Sequence, residues 1–127
     1  MNRKDTKMQY RRLEKLGIEV SAFGMGCMRF PMKDDGQGGR EVDESISTPI
    51  IRHAIDNGLN YVDTAYVYSD KKNEKAVAHA LRDGYREKVY LATKIPTWDI
   101  HSPEDMDSDV TYTLDYIGRI VEFCKEE

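Results

Sequence analysis

The apolar residues of this chain change their spacing along its length in a pattern that alternates strands with helices. Short apolar runs at residues 59–63 and 89–93 are typical of buried strands. Apolar residues three and four positions apart predict helices over about residues 43–57, 73–83 and 103–125. Strands that alternate with helices in this way form a parallel sheet covered by helices, so the chain is predicted to be an α/β protein.

The first part of the chain predicts strands without intervening helices. Residues 10–17 and 18–21 are expected to pair as a β-hairpin that turns near Gly17. A third strand is expected at residues 22–28, where two glycines indicate either the close approach of a ligand or a bend into the next loop. The sequence favours neither interpretation. Residues 30–40, rich in Gly, Asp and Lys, are predicted to form a loop.

Helix starts and boundaries complete the predicted organisation. Pro49 lies inside the first helix, which could instead begin there with Thr48 as its N-cap. Ser102 and Pro103 are a strong start signal for the terminal helix. The chain is expected to form one domain over residues 1–127, with residues 1–9 disordered, residues 10–21 in the hairpin and residues 22–127 in three β/α units.

Composition and charge restrict the partners that the chain is expected to bind. With 39% hydrophobic and 33% charged residues it is typical of a polar globular protein. A net charge of −4 without clustered Lys and Arg predicts that it binds no nucleic acid. No apolar segment follows the basic start, so neither a signal peptide nor a membrane anchor is predicted. Cys27 and Cys124 match no metal spacing, which predicts reduced thiols, no metal site and a cytoplasmic protein.

Three polar residues are expected to meet at the carboxyl end of the predicted sheet. Asp63 ends one strand, Lys94 follows the next, and Tyr68 lies on the loop between them. An ammonium beside a phenol favours the phenolate, and a carboxylate beside the ammonium keeps it charged. Such a group can give a proton to a developing alkoxide while a nicotinamide or a flavin supplies hydride, as carbonyl reduction requires. The alternative is an ordinary ion pair beside a surface aromatic.

Three segments carry a resemblance to the aldo-keto reductase family. The opening of the family resembles Tyr10-Arg11-Arg12-Leu13, Gly17, Val20-Ser21 and Phe23-Gly24-Met25-Gly26-Cys27-Met28-Arg29. Its first signature resembles Asn57-Gly58-Leu59-Asn60-Tyr61-Val62-Asp63-Thr64-Ala65-Tyr66-Val67-Tyr68. The strand that bears its lysine resembles Val89-Tyr90-Leu91-Ala92-Thr93-Lys94. These segments come in the family's order and spacing, and the likeness, which is greatest to bacterial and archaeal members, runs from about residue 10 to residue 107.

The resemblance implies a fold, a reaction and a catalytic group. The fold is a TIM-type β/α barrel whose N-terminal hairpin closes the bottom, and the reaction is the reduction of aldehydes and ketones with NADPH. In the implied catalytic group, Tyr68 is the general acid. Lys94 adjusts the acidity of Tyr68, and Asp63 is the orienting residue. The family's fourth catalytic residue is a histidine after the lysine strand, but residues 118–123 contain none, and His101 is the histidine nearest to Lys94.

The resemblance also implies contacts to cofactor and substrate. Gly24, Met25 and Asp63 are expected near the nicotinamide. Trp98 is expected to wall the substrate pocket, which would take a small carbonyl compound. The two other histidines, His53 and His79, fall on predicted helices and are expected to face solvent.

The length of the chain limits how much of such a barrel it can form. Three β/α units are fewer than half of the eight in a full barrel, so an incomplete barrel with exposed strand edges is expected. One hypothesis is an NADPH-dependent carbonyl reductase. The alternative is a non-catalytic, truncated barrel that associates with itself or with a partner through those edges.

Overall fold

The computed structural model describes residues 7–94 and 96–105, and it begins with the predicted hairpin. Strands β1 (Tyr10–Leu13) and β2 (Ile18–Ser21) pair antiparallel, so the prediction of a hairpin is confirmed. The hairpin is fixed to the rest of the molecule through buried Ser21, whose backbone amide donates to Asn60 Oδ1 at 2.6 Å. The Tyr10 hydroxyl also donates to the Gly58 carbonyl at 2.8 Å.

The next segment differs from the prediction in two ways. The strand expected at residues 22–28 is limited to β3 (Met25–Gly26), and Phe23 is 71% exposed. The prediction of a loop at residues 30–40 is wrong, because this segment forms most of a second β-hairpin. Strand β4 (Met32–Asp34) pairs antiparallel with strand β5 (Arg40–Val42). Two side chains hold the turn of this hairpin: Asp35 Oδ1 accepts from two backbone amides of the turn at 2.9 Å, and Asp34 Oδ1 accepts from the Gly36 amide at 2.7 Å.

Helix α1 (Glu44–Asp56) follows directly, with Asp43 as its N-cap. The Asp43 carboxylate accepts from the Ser45 amide at 3.1 Å, which satisfies one of the free amides of the first turn. Pro49 therefore lies inside the helix, and the alternative start at Pro49 is wrong. The helix ends where Gly58 adopts a left-handed φ of 95°, and a Cβ there would come within 2.9 Å of the Tyr10 hydroxyl.

The remaining described elements build the predicted α/β core. They are strand β6 (Tyr61–Asp63), helix α2 (Asn73–Ala80) and strand β7 (Tyr90–Ala92). The three parallel strands lie in the order β3–β6–β7, and Asp63 is in register with Ala92. A single-turn 3-10 helix, Arg86–Lys88, precedes β7, and another, Thr97–Asp99, follows it.

The hydrophobic core lies between this sheet and the two helices. Alternate strand residues such as Val62 point to the helices, while their neighbours point to the opposite face of the sheet. The buried residues of the core come from both helices, from β6 and from the segments beside the strands: Cys27, Ile51, Ile55, Leu59, Val62, Val77, Ala80, Leu81 and Val89.

The ends of the described region test two further expectations. Met8 packs against the core and the Gln9 carbonyl accepts from Ala22, so residues 8 and 9 differ from the expected disorder, while residues 1–6 lie outside the described residues. Residues 103–105 are helical, and the rest of the predicted terminal helix lies outside the described residues. Within the described ranges, no helix has the length and apolarity to cross a membrane.

Candidate active site

The candidate site lies at the carboxyl end of the parallel sheet, where Asp63 and Lys94 form an ion pair. Asp63 is the last residue of β6, and Lys94 stands two residues beyond the end of β7. Lys94 Nζ lies 2.5 Å from Asp63 Oδ1 and 3.0 Å from the Thr64 carbonyl oxygen. The structure thus brings together the acid and the ammonium that the sequence placed at neighbouring strand ends.

Tyr68 completes the predicted group. Lys94 Nζ lies 4.9 Å from the centre of the Tyr68 ring. Partial burial lowers the pKa of Lys94, but the neighbouring Asp63 carboxylate and Tyr68 phenol outweigh that effect and raise the pKa above its ordinary value. The lysine is therefore a stable ammonium between a carboxylate and a phenol.

The loop that carries Tyr68 continues into an unusual turn. Ser69, Asp70 and Lys71 all have left-handed φ angles, of 51°, 54° and 67°. Non-glycine residues in this region cost about 1–2 kcal/mol each, so neighbouring contacts must hold the turn. Lys72 supplies such contacts, because its ammonium donates to Asp35 at 3.2 Å and to the Arg40 carbonyl at 2.5 Å. These contacts with the β4–β5 hairpin hold the loop that follows Tyr68 in place.

A buried polar network lies beneath the ion pair, and sequence reasoning missed it. Its members are two threonines at strand ends and the first two residues of α2: Thr64, Thr93, Asn73 and Glu74. Glu74 is 3% exposed, and burial raises the pKa of its carboxyl, against the opposing effect of the hydrogen bond from Thr93. The sequence signalled only a helix start at Asn73, since nothing local identifies the distant partners.

Of the three residues predicted near a nicotinamide, Gly24 directly precedes β3 and Met25 begins it, so these two lie on opposite faces of the sheet. Met25 packs against the core, so its side chain is turned away from the face that carries Asp63. Gly24 is on the face of Asp63, but a Cβ there would contact Tyr61 at 3.4 Å. Gly26, rather than Gly24, is in register with Asp63, and a Cβ at Gly26 would meet open space.

Trp98 lies where the sequence predicted a wall of a pocket. A cleft of about 410 Å³ is lined by Tyr68, Lys94, Trp98 and four further residues: Ala65, Val67, Pro96 and Thr97. The Trp98 side chain is 63% exposed, so its indole is available to a molecule in the cleft. The phenol, the ammonium and a large aromatic surface therefore border the same space.

The remaining candidate groups lie outside this cluster. His101 is exposed, and its backbone amide donates to Asp105. His53 is exposed on α1, as expected, but the expectation for His79 is wrong, because its ring pairs with Glu44 at 2.9 Å and is half-buried. Burial raises the pKa of the Cys27 thiol to about 12. No group of metal-ligating side chains is present among residues 7–94 and 96–105.

This geometry can deliver a proton to a group bound in the cleft. In general, a phenol can donate the proton, an ammonium beside it stabilises the phenolate left behind, and a carboxylate holds the ammonium in place. The site is open on the cleft side and supported on the other by the buried network. These features suit a reaction in which negative charge develops on an oxygen atom.

Much of this chain is similar in sequence to known proteins. A sequence profile of the aldo/keto reductase family matches residues 22–123. A probable aldo-keto reductase from Glycine max is 37% identical over 78 residues, which are 61% of this chain and 21% of that protein. The chain thus spans about a fifth of the length of this curated relative.

Solved structures of aldo-keto reductases share the fold of most of this chain. The holo form of an aldo-keto reductase from Bacillus halodurans is 34% identical with a TM-score of 0.56, over 69% of this chain and 26% of that one. An aldo-keto reductase from Klebsiella pneumoniae, solved in complex with NADPH, is 26% identical with a TM-score of 0.61, over 81% of this chain and 33% of that one. The prediction of an incomplete β/α barrel is confirmed by these partial matches.

Proposed function

Because the chain belongs to the aldo-keto reductase family, we propose that it serves the NADPH-dependent reduction of aldehydes or ketones to alcohols. The observation that carries this proposal is the grouping of Tyr68, Lys94 and Asp63 at one side of the cleft that Trp98 borders. An ion pair formed only for stability would have no need of a phenol and an open cleft beside it.

The geometry of these side chains supports a role for each of them. Tyr68 gives its proton to the carbonyl oxygen of a substrate in the cleft as charge develops on that oxygen. Lys94, which faces the Tyr68 ring at 4.9 Å, stabilises the phenolate that remains. Asp63 fixes the ammonium through the 2.5 Å contact and keeps it charged.

The cofactor would lie on the face of the sheet that carries Asp63. Bound NADPH supplies the hydride, which no side chain can provide. A Cβ at Gly26 would meet no atom within 4 Å, and this space beside Asp63 is where the nicotinamide end of the cofactor would lie. Gly24 and Met25 remain candidates for contact through their backbone. The solved complex of the Klebsiella pneumoniae relative with NADPH supports this choice of cofactor.

Titration with NADPH tests the binding half of the proposal. We expect NADPH to quench the fluorescence of Trp98, the only tryptophan, and to raise the melting temperature. A ligand at 100 times its dissociation constant stabilises the native state by about 2.7 kcal/mol. Unchanged fluorescence and melting temperature at millimolar NADPH would contradict the proposal and favour the non-catalytic alternative.

Two matched variants test the catalytic half. Tyr68→Phe removes the proposed proton donor, and Tyr66→Phe makes the same change two residues away on the same loop. With a small aromatic aldehyde as substrate, we expect Tyr68→Phe to lower kcat by about 100-fold or more, as loss of a general acid does. Tyr66→Phe should retain the wild-type rate, and equal rates for the two variants would remove Tyr68 from this role.

Self-association is a second candidate property, favoured by the edges of the sheet. In the part of the chain that the structure describes, β3 and β7 each pair along one side only. Phe23, beside β3, is 71% exposed. Open edges beside exposed apolar side chains promote pairing between chains. Sedimentation should show a dimer that Phe23→Lys weakens, and a monomer at all concentrations would contradict this property.

A further inference from the structure

The first two residues of α2 contact segments that follow all three strands of the parallel sheet. Asn73 Nδ2 donates to the Cys27 carbonyl, just after β3, at 2.7 Å. The Thr64 hydroxyl, just after β6, donates to Asn73 Oδ1 at 2.6 Å. The Thr93 hydroxyl, just after β7, donates to Glu74 Oε1 at 2.5 Å. We call Asn73 and Glu74 the α2 anchor.

The anchor is buried, and Asn73 Nδ2 also donates to Ser69 Oγ at 3.1 Å. Asn73 and Thr64 have no exposed surface, and Glu74 is 3% exposed. Buried polar atoms that lose a partner cannot recover it from water. The anchor therefore fixes the relative positions of three strand ends more specifically than apolar packing alone could, because hydrogen bonds depend on direction as well as distance.

Two of these strand ends carry the candidate catalytic pair. Thr64 follows Asp63, and its carbonyl oxygen also accepts from Lys94 at 3.0 Å. Thr93 directly precedes Lys94. We propose that Asn73 and Glu74 are positioning residues, which set the distance between Asp63 and Lys94 by holding the backbone on either side. This inference rests on the proposed function, since it assigns the anchor to the same site.

The character of Glu74 supports a positioning role. A carboxyl at this depth costs stability, because burial disfavours its charged form and raises its pKa. Helix α2 is already held to the sheet by Val77 and Leu81, both without exposed surface. An apolar side chain would pack at this position without that cost. What only a carboxyl or an amide supplies here is an acceptor for the Thr93 hydroxyl.

Four variants separate positioning from simple structural support. Glu74→Ala and Thr93→Val each remove the bond between α2 and the end of β7, whereas Glu74→Gln keeps an acceptor oxygen. Val77→Ala is the control, because it weakens the packing of the same helix without touching a polar contact. One readout is the pKa of Lys94 in the 127-residue chain, measured by NMR of its side chain. The other is kcat where turnover is present.

The proposal predicts a specific pattern. The pKa of Lys94 should fall towards its ordinary value in Glu74→Ala and Thr93→Val, and stay at the wild-type value in Glu74→Gln and Val77→Ala. The value of kcat should fall by up to about 100-fold in the first pair of variants, with KM little changed, since displaced catalytic groups lose rate rather than affinity.

Two results would overturn the assignment. One is an unchanged pKa of Lys94 in both Glu74→Ala and Thr93→Val, and the other is an equal fall in Val77→Ala. A wild-type chain that bound no NADPH and reduced no aldehyde would contradict the proposed function, but the titration of Lys94 would still decide whether the anchor positions it. If Glu74→Ala does not fold, Thr93→Val tests the same bond from the other side.

Discussion

The carboxyl end of α2 depends on one side chain from α1, that of Arg52. Its Nε donates to the Ala80 carbonyl at 2.9 Å, and its Nη2 lies 2.7 Å from an Asp83 carboxylate oxygen. Its guanidinium also stacks over the Tyr85 ring, 4.6 Å from the centre. The last carbonyls of a helix have no partners within it, so Arg52 supplies what the helix itself cannot. We predict that Arg52→Met is among the most destabilising substitutions outside the core.

The contacts of Arg52 give the magnitude. A hydrogen bond from a charged donor to a carbonyl such as that of Ala80 contributes about 1.5–3 kcal/mol. The Asp83 carboxylate is 69% exposed, so this ion pair adds only about 0.5 kcal/mol. The contact with Tyr85 adds about 0.5–1 kcal/mol. Methionine keeps most of the apolar stem, and the expected loss in the free energy of unfolding is about 3 kcal/mol.

Urea unfolding at neutral pH, followed by circular dichroism, measures this loss. Lys88→Met is the matched control, because Lys88 is a half-exposed cation that lies 4.3 Å from the same Tyr85 ring and 3.9 Å from Asp56. Surface pairs of this kind contribute little, so the control should lose less than about 1 kcal/mol. Equal losses in the two variants would refute the reasoning, since they would show that capping of α2 adds nothing beyond surface charge.

Three further predictions concern single residues. Backbone hydrogen bonds in the hairpin turn lower the pKa of Asp35, so its contribution to stability is present above the ordinary carboxyl pKa and is lost as the pH falls through the lowered value. Acid titration of stability below about pH 4 should therefore be shallower in Asp35→Asn than in the wild type. Because the pKa of Cys27 is raised to about 12, a thiol reagent at pH 8 should label it in a Cys124→Ser background only after urea is added. Lys71→Gly should stabilise the chain by about 0.5–1 kcal/mol, because it relieves a left-handed φ of 67°, whereas Lys75→Gly within α2 should destabilise it by about 1 kcal/mol.

The sequence predicted the candidate catalytic pair because the ends of the apolar strands can be recognised in it. Asp63 and Lys94 each follow a short apolar run, and parallel strands place such residues at one edge of a sheet. The β4–β5 hairpin was missed because its strands are three residues long and its turn depends on side-chain contacts of Asp35. The α2 anchor was missed for a different reason: Asn73 and Glu74 find partners 46 and 19 residues away, and only the folded chain shows which side chains meet.

The register of β3 could not be predicted either. The Gly-Met-Gly segment signalled a close approach or a bend, but the choice of Gly26 over Gly24 as the residue level with Asp63 depends on pairing with β6. A strand of two residues carries too little periodicity to fix that pairing.

The proposed reaction requires Tyr68 and Lys94 to act as one proton-donating unit. A double-mutant cycle tests it most directly, with kcat/KM for aldehyde reduction measured in the wild type, Tyr68→Phe, Lys94→Met and the double variant at saturating NADPH. Residues that act as a unit give strongly non-additive losses. We predict that the double variant is no slower than the slower single variant. Losses that multiply in the double variant would contradict the claim, because they would mean that the two side chains contribute independently.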